Sequence, residues 1–168
     1  MNSLKPDMYK KDIYNIDYKK LKKNGIKVLL FDFDNTLIER GNYEINEKAV
    51  ELFNKIRSDF IIYIVSNSIH ISKLKKVCGK LEVPFIKGSR KPFKTGFKKL
   101  NLKDINNNKI AIIGDQLLTD ILVGKRMNYY TVLIDPINYD EMLVTRIHRL
   151  IEKKELKKNN IKRGEYYG

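Results

Sequence analysis

The stretch VLLFDFDNTLIER, Val28 to Arg40, opens with an apolar run and then sets two aspartates, Asp32 and Asp34, on either side of Phe33. Val28-Leu29-Leu30-Phe31 reads as a strand buried on both faces, the pattern of a parallel sheet. Residues i and i+2 of a strand face the same way. The two carboxylates therefore stand side by side at the end of a buried element, where desolvation and like-charge repulsion both disfavour ionisation.

Further strands follow, separated by helical patterns. FIIYIV (60–65) is a second buried run, VPFIKG (83–88) a short third, KIAIIGD (109–115) a fourth and YYTVLID (129–135) a fifth. INEKAVELFNKIRSD places Ala49, Leu52, Phe53 and Ile56 on one helical face, with Asn46 as N-cap. SIHISKLKKVCGK predicts a helix with Ile71, Leu74, Val77 and Cys78 inward and Gly79 near its end. KPFKTGFKKLNL and QLLTDILVGKRMN predict two more helices. Residues 138–158 predict an amphipathic helix carrying Leu143, Ile147, Leu150 and Ile151, and 159–168 a frayed tail. Strand and helix alternate throughout, which predicts α/β architecture: a doubly wound, Rossmann-like, five-stranded parallel sheet. At 168 residues the chain is expected to form a single domain, with a core of about 26–137 and an N-terminal extension, 1–25.

In such sheets ligands bind beyond the carboxyl ends of the strands. Here those ends carry Asp32, Asp34 and Thr36, then Ser66 and Asn67, then Arg90-Lys91-Pro92, then Asp115 with Asp120 five residues on. Carboxylates gathered there need a cation, and oxygen-only ligands favour Mg²⁺. No His or Cys pair stands at zinc spacing. A lysine and a serine hydroxyl facing the same ion suit a phosphoryl group. One aspartate can attack phosphorus while another moves the proton of the leaving oxygen.

Composition bounds the partners. The net charge of +14 favours anionic ones, and it concentrates between Ile71 and Leu100, with ten Lys and Arg against Glu82 alone. No apolar run approaches the about 18 residues of a membrane span, and the N-terminus has no apolar core of a secretory signal. Cys78 is the single cysteine, which excludes a disulfide framework and fits a reducing compartment. The compartment expected is the cytoplasm, with peripheral contact at the inner face of a membrane as an alternative. His70, Cys78 and His148 are read as structural. Arg146, Arg149, Lys153 and Lys154 make a basic face on the C-terminal helix, expected to be solvated while its apolar face packs on the sheet.

DFDNT, IVSNS, RKP and GDQLLTD, in this order, resemble the four motifs of the haloacid dehalogenase (HAD) superfamily of phosphatases. The longer runs LKPDMY, RKPFKTGF and IGDQLLTDILVGKRMN look like the YqeG family within its subfamily IIIA, which is similar to enzymes that dephosphorylate phosphatidylglycerophosphate. The resemblance implies an aspartyl-phosphate mechanism with Asp32 as nucleophile and Asp34 as general acid and base. Thr36 would steady the loop of the phosphate site, and Ser66, the Asn67 backbone and Lys91 would hold phosphate. Mg²⁺ would bind Asp115, the Asp32 side chain and the Asp34 backbone carbonyl, and Asp120 would be a further ligand or would orient Lys91. The substrate implied is a phosphate ester on an anionic lipid headgroup. Small phosphate esters or nucleotides are the enzymatic alternative, and a basic RNA- or ribosome-binding module is the alternative from another class. The intervals Asp34–Ser66 and Asn67–Lys91 are too short for a cap domain, so an open site is expected.

Overall fold

The computed structural model describes residues 4–100, 102–139 and 143–168, with side chains except at 143–149. Six parallel strands form one sheet: β1 (Met8–Lys10), β2 (Val28–Phe31), β3 (Ile61–Val65), β4 (Phe85–Ile86), β5 (Ile110–Gly114) and β6 (Tyr130–Ile134), in the order β1-β6-β5-β2-β3-β4. The chain leaves β2 toward β3 on one side and later returns with β5 on the other, so β2 sits at the switch point where a crevice opens. Phe31 pairs with Ile64 and with Ile113, which brings the loops after β2, β3 and β5 to one end.

Period two divides the core. Leu29, Phe31 and Phe33 pack on one side of the sheet with Ala49 and Phe53 of α2 (Glu47–Ile56) and with Leu74, Val77 and Leu81 of α3 (Ile71–Leu81). Val28 and Leu30 pack on the other with Ile110, Ile112, Phe97 and Tyr129. Phe53 meets Phe31 with ring centroids 5.0 Å apart, and burying each such ring contributes about 1.5–3 kcal/mol. Asn46 caps α2 as expected, its Oδ1 accepting from Ala49 N at 2.8 Å. With α2 filling the chain between β2 and β3, and α3 that between β3 and β4, neither interval holds a cap-sized insertion.

Several expectations are corrected. The sheet has six strands because Met8–Lys10, within the expected extension, pairs with Val132–Ile134 of β6. Within the same extension Tyr18–Lys23 forms α1, closed by Asn24 and by Gly25 at φ 81°. The tail does not fray: Ile161 is buried, and Tyr9 and Tyr167 exchange backbone hydrogen bonds of 2.9 Å in each direction. Lys94–Lys99 is a 3₁₀ helix rather than an α-helix. The helix after β5 opens with a π turn, Leu117–Ile121, before α4 (Leu122–Met127). Ile71, expected inward, is exposed at the start of α3, which runs past Gly79 to Leu81. The last helix, α5 (Leu143–Lys158), packs through buried Leu156 against Tyr9, Leu117 and Leu133, while Leu150 and Ile151 stand exposed. The side chains of Leu143, Arg146, Ile147, His148 and Arg149 lie outside the described set.

Candidate active site

The β2 loop is tied to β5 where the pairing ends: Asp32 N donates to Ile113 O at 2.8 Å. The chain then turns sharply. Leu37 N donates to Phe33 O at 3.0 Å, and Asn35 takes the left-handed conformation at φ 62°, which asparagine tolerates better than most residues. This turn buries Phe33 in the core and leaves Asp32 and Asp34 on the cleft. Thr36, buried, donates to Asp115 Oδ1 at 3.4 Å.

Lys91 Nζ lies at the floor of the cleft. It donates to Asp32 Oδ1, to Asp120 Oδ1 at 2.7 Å and to Val65 O at 2.9 Å. Asp120 Oδ2 accepts from Gln116 N at 3.2 Å, so both of its oxygens are engaged. The π turn carries Asp120 back toward β5, and Gly114 makes that approach possible: a Cβ there would lie 2.3 Å from the Asp120 carboxyl. Of the two roles open to Asp120, the geometry places it against Lys91 while leaving it beside the other carboxylates. Asp32, Asp115 and Asp120 each bring an oxygen within 4.8 Å of the others.

This crowding moves the proton equilibria. Burial pushes the Asp32 carboxyl up to about 6, the Asp120 charge adding to it and Lys91 opposing it. Asp115 is pushed well above the usual carboxylate range, by burial first and then by Asp32, Asp120 and Glu152. Burial alone would lower the Lys91 value; Asp120 and Asp32 outweigh it and hold the ammonium charged. A single lysine among three acids leaves negative charge uncompensated, and this donor set fits a hard divalent cation.

Ser66 is buried, with its Oγ accepting from Ser68 N at 3.0 Å. Asn67 joins two loops: its Oδ1 accepts from Lys91 N at 2.7 Å and Ser89 Oγ at 2.8 Å, and its Nδ2 donates to Lys91 O at 3.0 Å. Asp32, Asp34, Ser66, Asn67 and Lys91 line one cleft of about 60 Å³, together with Arg40, Ser68, Gln116 and Thr119. The Asp34 carboxylate does not join the acidic cluster; Lys73 of α3 holds its Oδ1 at 2.9 Å. Lys73, Arg40, Ser68, Gln116 and Thr119 are not singled out as site residues from sequence. Lys73 has a readable signal, standing four and eight residues before Val77 and Leu81 on the inward stripe of α3. Cys78 is a core residue, its thiol pushed up to about 12 by burial.

A parallel α/β sheet with Asp-x-Asp after its switch strand, and serine, lysine and aspartate from three further loops, has the layout of a phosphoryl-transfer site. Comparison with known proteins narrows this class: the mitochondrial PGP phosphatase family model matches residues 1–138, and the chain belongs to that family. It is 33% identical over 153 residues to the probable phosphatase YqeG of Bacillus subtilis, covering 90% of this chain and 88% of that protein. It is 27% identical over 157 residues to phosphatidylglycerophosphate phosphatase 1, chloroplastic/mitochondrial, of Arabidopsis thaliana, covering 86% of this chain and 45% of that one. In fold it is similar to the magnesium-bound putative HAD-hydrolase YfnB of Bacillus subtilis (TM-score 0.56, 15% identity, 71% of this chain and 91% of that one). A haloacid dehalogenase-like hydrolase of Xanthomonas campestris aligns with TM-score 0.58 at 11% identity, over 88% of this chain and 99% of that one. The chain is thus a member of a phosphatase family with a fold like that of HAD hydrolases, and no helix among its described residues is long and apolar enough to cross a membrane.

Proposed function

We propose that this phosphatase is a Mg²⁺-dependent phosphomonoesterase that works through an aspartyl-phosphate, and that its ester is phosphatidylglycerophosphate. The observation that carries the reaction is Lys91 Nζ held between Asp32 and Asp120 beside Asp115. Asp32, Asp115 and Asp120, with the Asp34 backbone carbonyl, are the groups that would hold Mg²⁺. The ion, when bound, supplies positive charge to the phosphoryl oxygens and lets the acids stay ionised together.

In this reading an Asp32 carboxylate oxygen attacks phosphorus as the bond from phosphorus to the leaving oxygen breaks, and Asp34 gives that oxygen a proton. Water then attacks the phosphorus of the aspartyl-phosphate as the bond from phosphorus to the Asp32 oxygen breaks, Asp34 accepts a proton from that water, and inorganic phosphate leaves with Asp32 restored. Lys91, Ser66 and the backbone beside Asn67 bind the phosphoryl oxygens throughout, with Thr36 steadying the loop on the Asp115 side.

The lipid is supported by the family and by the Arabidopsis relative. It is also supported by Arg40, exposed, lining the cleft and without an ion-pair partner among the described residues. Phosphatidylglycerophosphate carries a phosphodiester one glycerol away from its monoester, and Arg40 is the cation suited to that second anion. The test measures phosphate release from phosphatidylglycerophosphate and from small esters, with and without Mg²⁺, in the wild type, Asp32→Asn and Arg40→Gln. The expected result is Mg²⁺-dependent preference for the lipid, loss of turnover in Asp32→Asn and a reduced preference in Arg40→Gln. Equal or better turnover of small esters by the wild type sinks the lipid assignment, and turnover that survives Asp32→Asn sinks the mechanism.

A further inference from the structure

The two loops that present the phosphate-facing residues also hold large apolar side chains out in solvent. Ile69, just after Ser66 and Asn67, is 75% exposed, and Phe93, two residues beyond Lys91, is 64% exposed. Neither enters the hydrophobic core. Their loops are laced together: Gly88 N donates to Ser68 O at 3.0 Å, Ser89 N to Ser66 O at 2.9 Å, and Asn67 holds the Lys91 backbone. The Ile69 Cγ2 methyl lies beside Gly88, where an added Cβ would be 3.9 Å away. Phe93 N donates to Arg90 O at 2.8 Å, and Pro92 O accepts from Arg126 at 3.0 Å, so the Phe93 turn is also fixed. Fixed, exposed apolar side chains at the mouth of a site mark a contact surface.

The charges around them indicate the partner. Lys87, Arg90 and Lys94 are exposed and have no carboxylate partner among the described residues. Some lysines elsewhere are matched, Lys76 with Glu44, Lys80 with Glu47 and Lys125 with Asp7, while others such as Lys19, Lys55 and Lys103 are exposed without one among the described residues; what sets the three at the mouth apart is their place beside the two apolar tips. Aliphatic and aromatic tips on loops that also carry unmatched cations fit the interface of an anionic bilayer, where the tips enter the acyl boundary and the cations meet headgroups. A nucleic acid would use the cations and a stacking ring but has little to offer an isoleucine.

We infer that Ile69 and Phe93 insert into the interface of an anionic bilayer, with Lys87, Arg90 and Lys94 on its headgroups, so that the catalytic cleft opens onto the membrane surface. The use of this surface in catalysis rests on the lipid-substrate reading; the binding itself does not. The test compares the wild type with the double variant Ile69→Ser/Phe93→Ser. Co-sedimentation is measured with vesicles of phosphatidylcholine alone or mixed with phosphatidylglycerol. Turnover is measured on phosphatidylglycerophosphate in those vesicles and on a dispersed short-chain analogue.

The wild type is expected to bind the mixed vesicles, and less so at high salt. The double variant is expected to bind them at least about ten-fold more weakly, to lose vesicle turnover in proportion and to keep turnover of the dispersed analogue. Wild-type binding by the double variant overturns the inference, as does a wild type retained on RNA but not on anionic vesicles. A wild type that binds vesicles through these two residues yet hydrolyses no phosphatidylglycerophosphate leaves the surface standing and removes the substrate reading.

Discussion

Lys73 Nζ donates to Asp34 Oδ1 at 2.9 Å, from a side chain only 8% exposed, so the proton-moving aspartate of the proposed reaction is held from α3. The ammonium also lies 5.2 Å from the Phe33 ring centroid, which keeps it over the loop that carries Asp34. Removing a nearly buried charge partner frees the other side chain to swing and leaves its charge uncompensated. Lys73→Met is expected to lower kcat by about 10–100-fold with little change in KM, and Lys73→Arg to restore part of it. Steady-state kinetics on a soluble ester check this; a KM effect alone would make Lys73 a binding group.

Asn67 is expected from sequence to serve phosphate through its backbone, whereas its side chain clamps the loop that presents Lys91. Asn67→Ala leaves Ser89 Oγ and both Lys91 backbone groups without this partner. The expected cost is about 2 kcal/mol, accompanied by a fall in turnover. Thermal unfolding and kinetics on the same variant read both; an unchanged unfolding midpoint would mean that the clamp is dispensable.

The docked tail gives a third prediction. Removing residues 159–168 deletes buried Ile161, the Tyr9–Tyr167 pairing and the Arg163 contact with Asp135. The expected loss is about 3 kcal/mol. It should be localised: hydrogen exchange quickens in Met8–Lys10 before it does in β2 or β3. Uniform loss of protection across the sheet would show that the tail supports the whole domain instead.

Local patterns were legible in the sequence and cross-chain pairings were not. Val28–Phe31 and Ile110–Gly114 read as strands because an unbroken apolar run needs no partner to be recognised. The polar residues that end them fell to one sheet edge once the strands were taken as parallel. Met8–Lys10 carries no such signal in three residues; its strand character comes from β6 on one side and Tyr167 on the other. Lys73 was hidden by its charge, since a lysine within a basic run reads as solvated. The π turn at Leu117–Ile121 follows from packing, with Asp120 drawn back to Lys91 and Gly114.

Asp115 tests the acid cluster directly. Its carboxyl is pushed up by burial and by neighbouring acids, so in metal-free protein it opposes folding when ionised. Asp115→Asn is expected to raise the metal-free stability by roughly 1 kcal/mol. The stabilisation that Mg²⁺ gives the wild type should disappear. Calorimetric titration and melting with and without Mg²⁺ check both parts; a variant that still gains stability from Mg²⁺ would place the ion elsewhere.

The same groups fix a pH dependence of definite sign. Asp32 lies at about 6 in the folded protein, above its ordinary 3.8, and Asp115 is displaced in the same direction. Between about 4 and 6 the native state therefore keeps protons that the unfolded chain has released, and metal-free stability falls as pH rises through that window. Asp115, displaced the same way, adds to the fall. Asp7 acts with the opposite sign and at lower pH: Thr131 and Lys125 overcome its burial and hold it below the ordinary value, so its contribution is lost on acidification. Mg²⁺ needs the ionised carboxylates and competes with those protons, so its stabilising increment should grow over the range in which the metal-free protein weakens. Melting curves at matched ionic strength, with and without Mg²⁺, give that increment at each pH. An increment that stays flat from about pH 4 to about 6 would mean that Asp32 and Asp115 do not hold the ion.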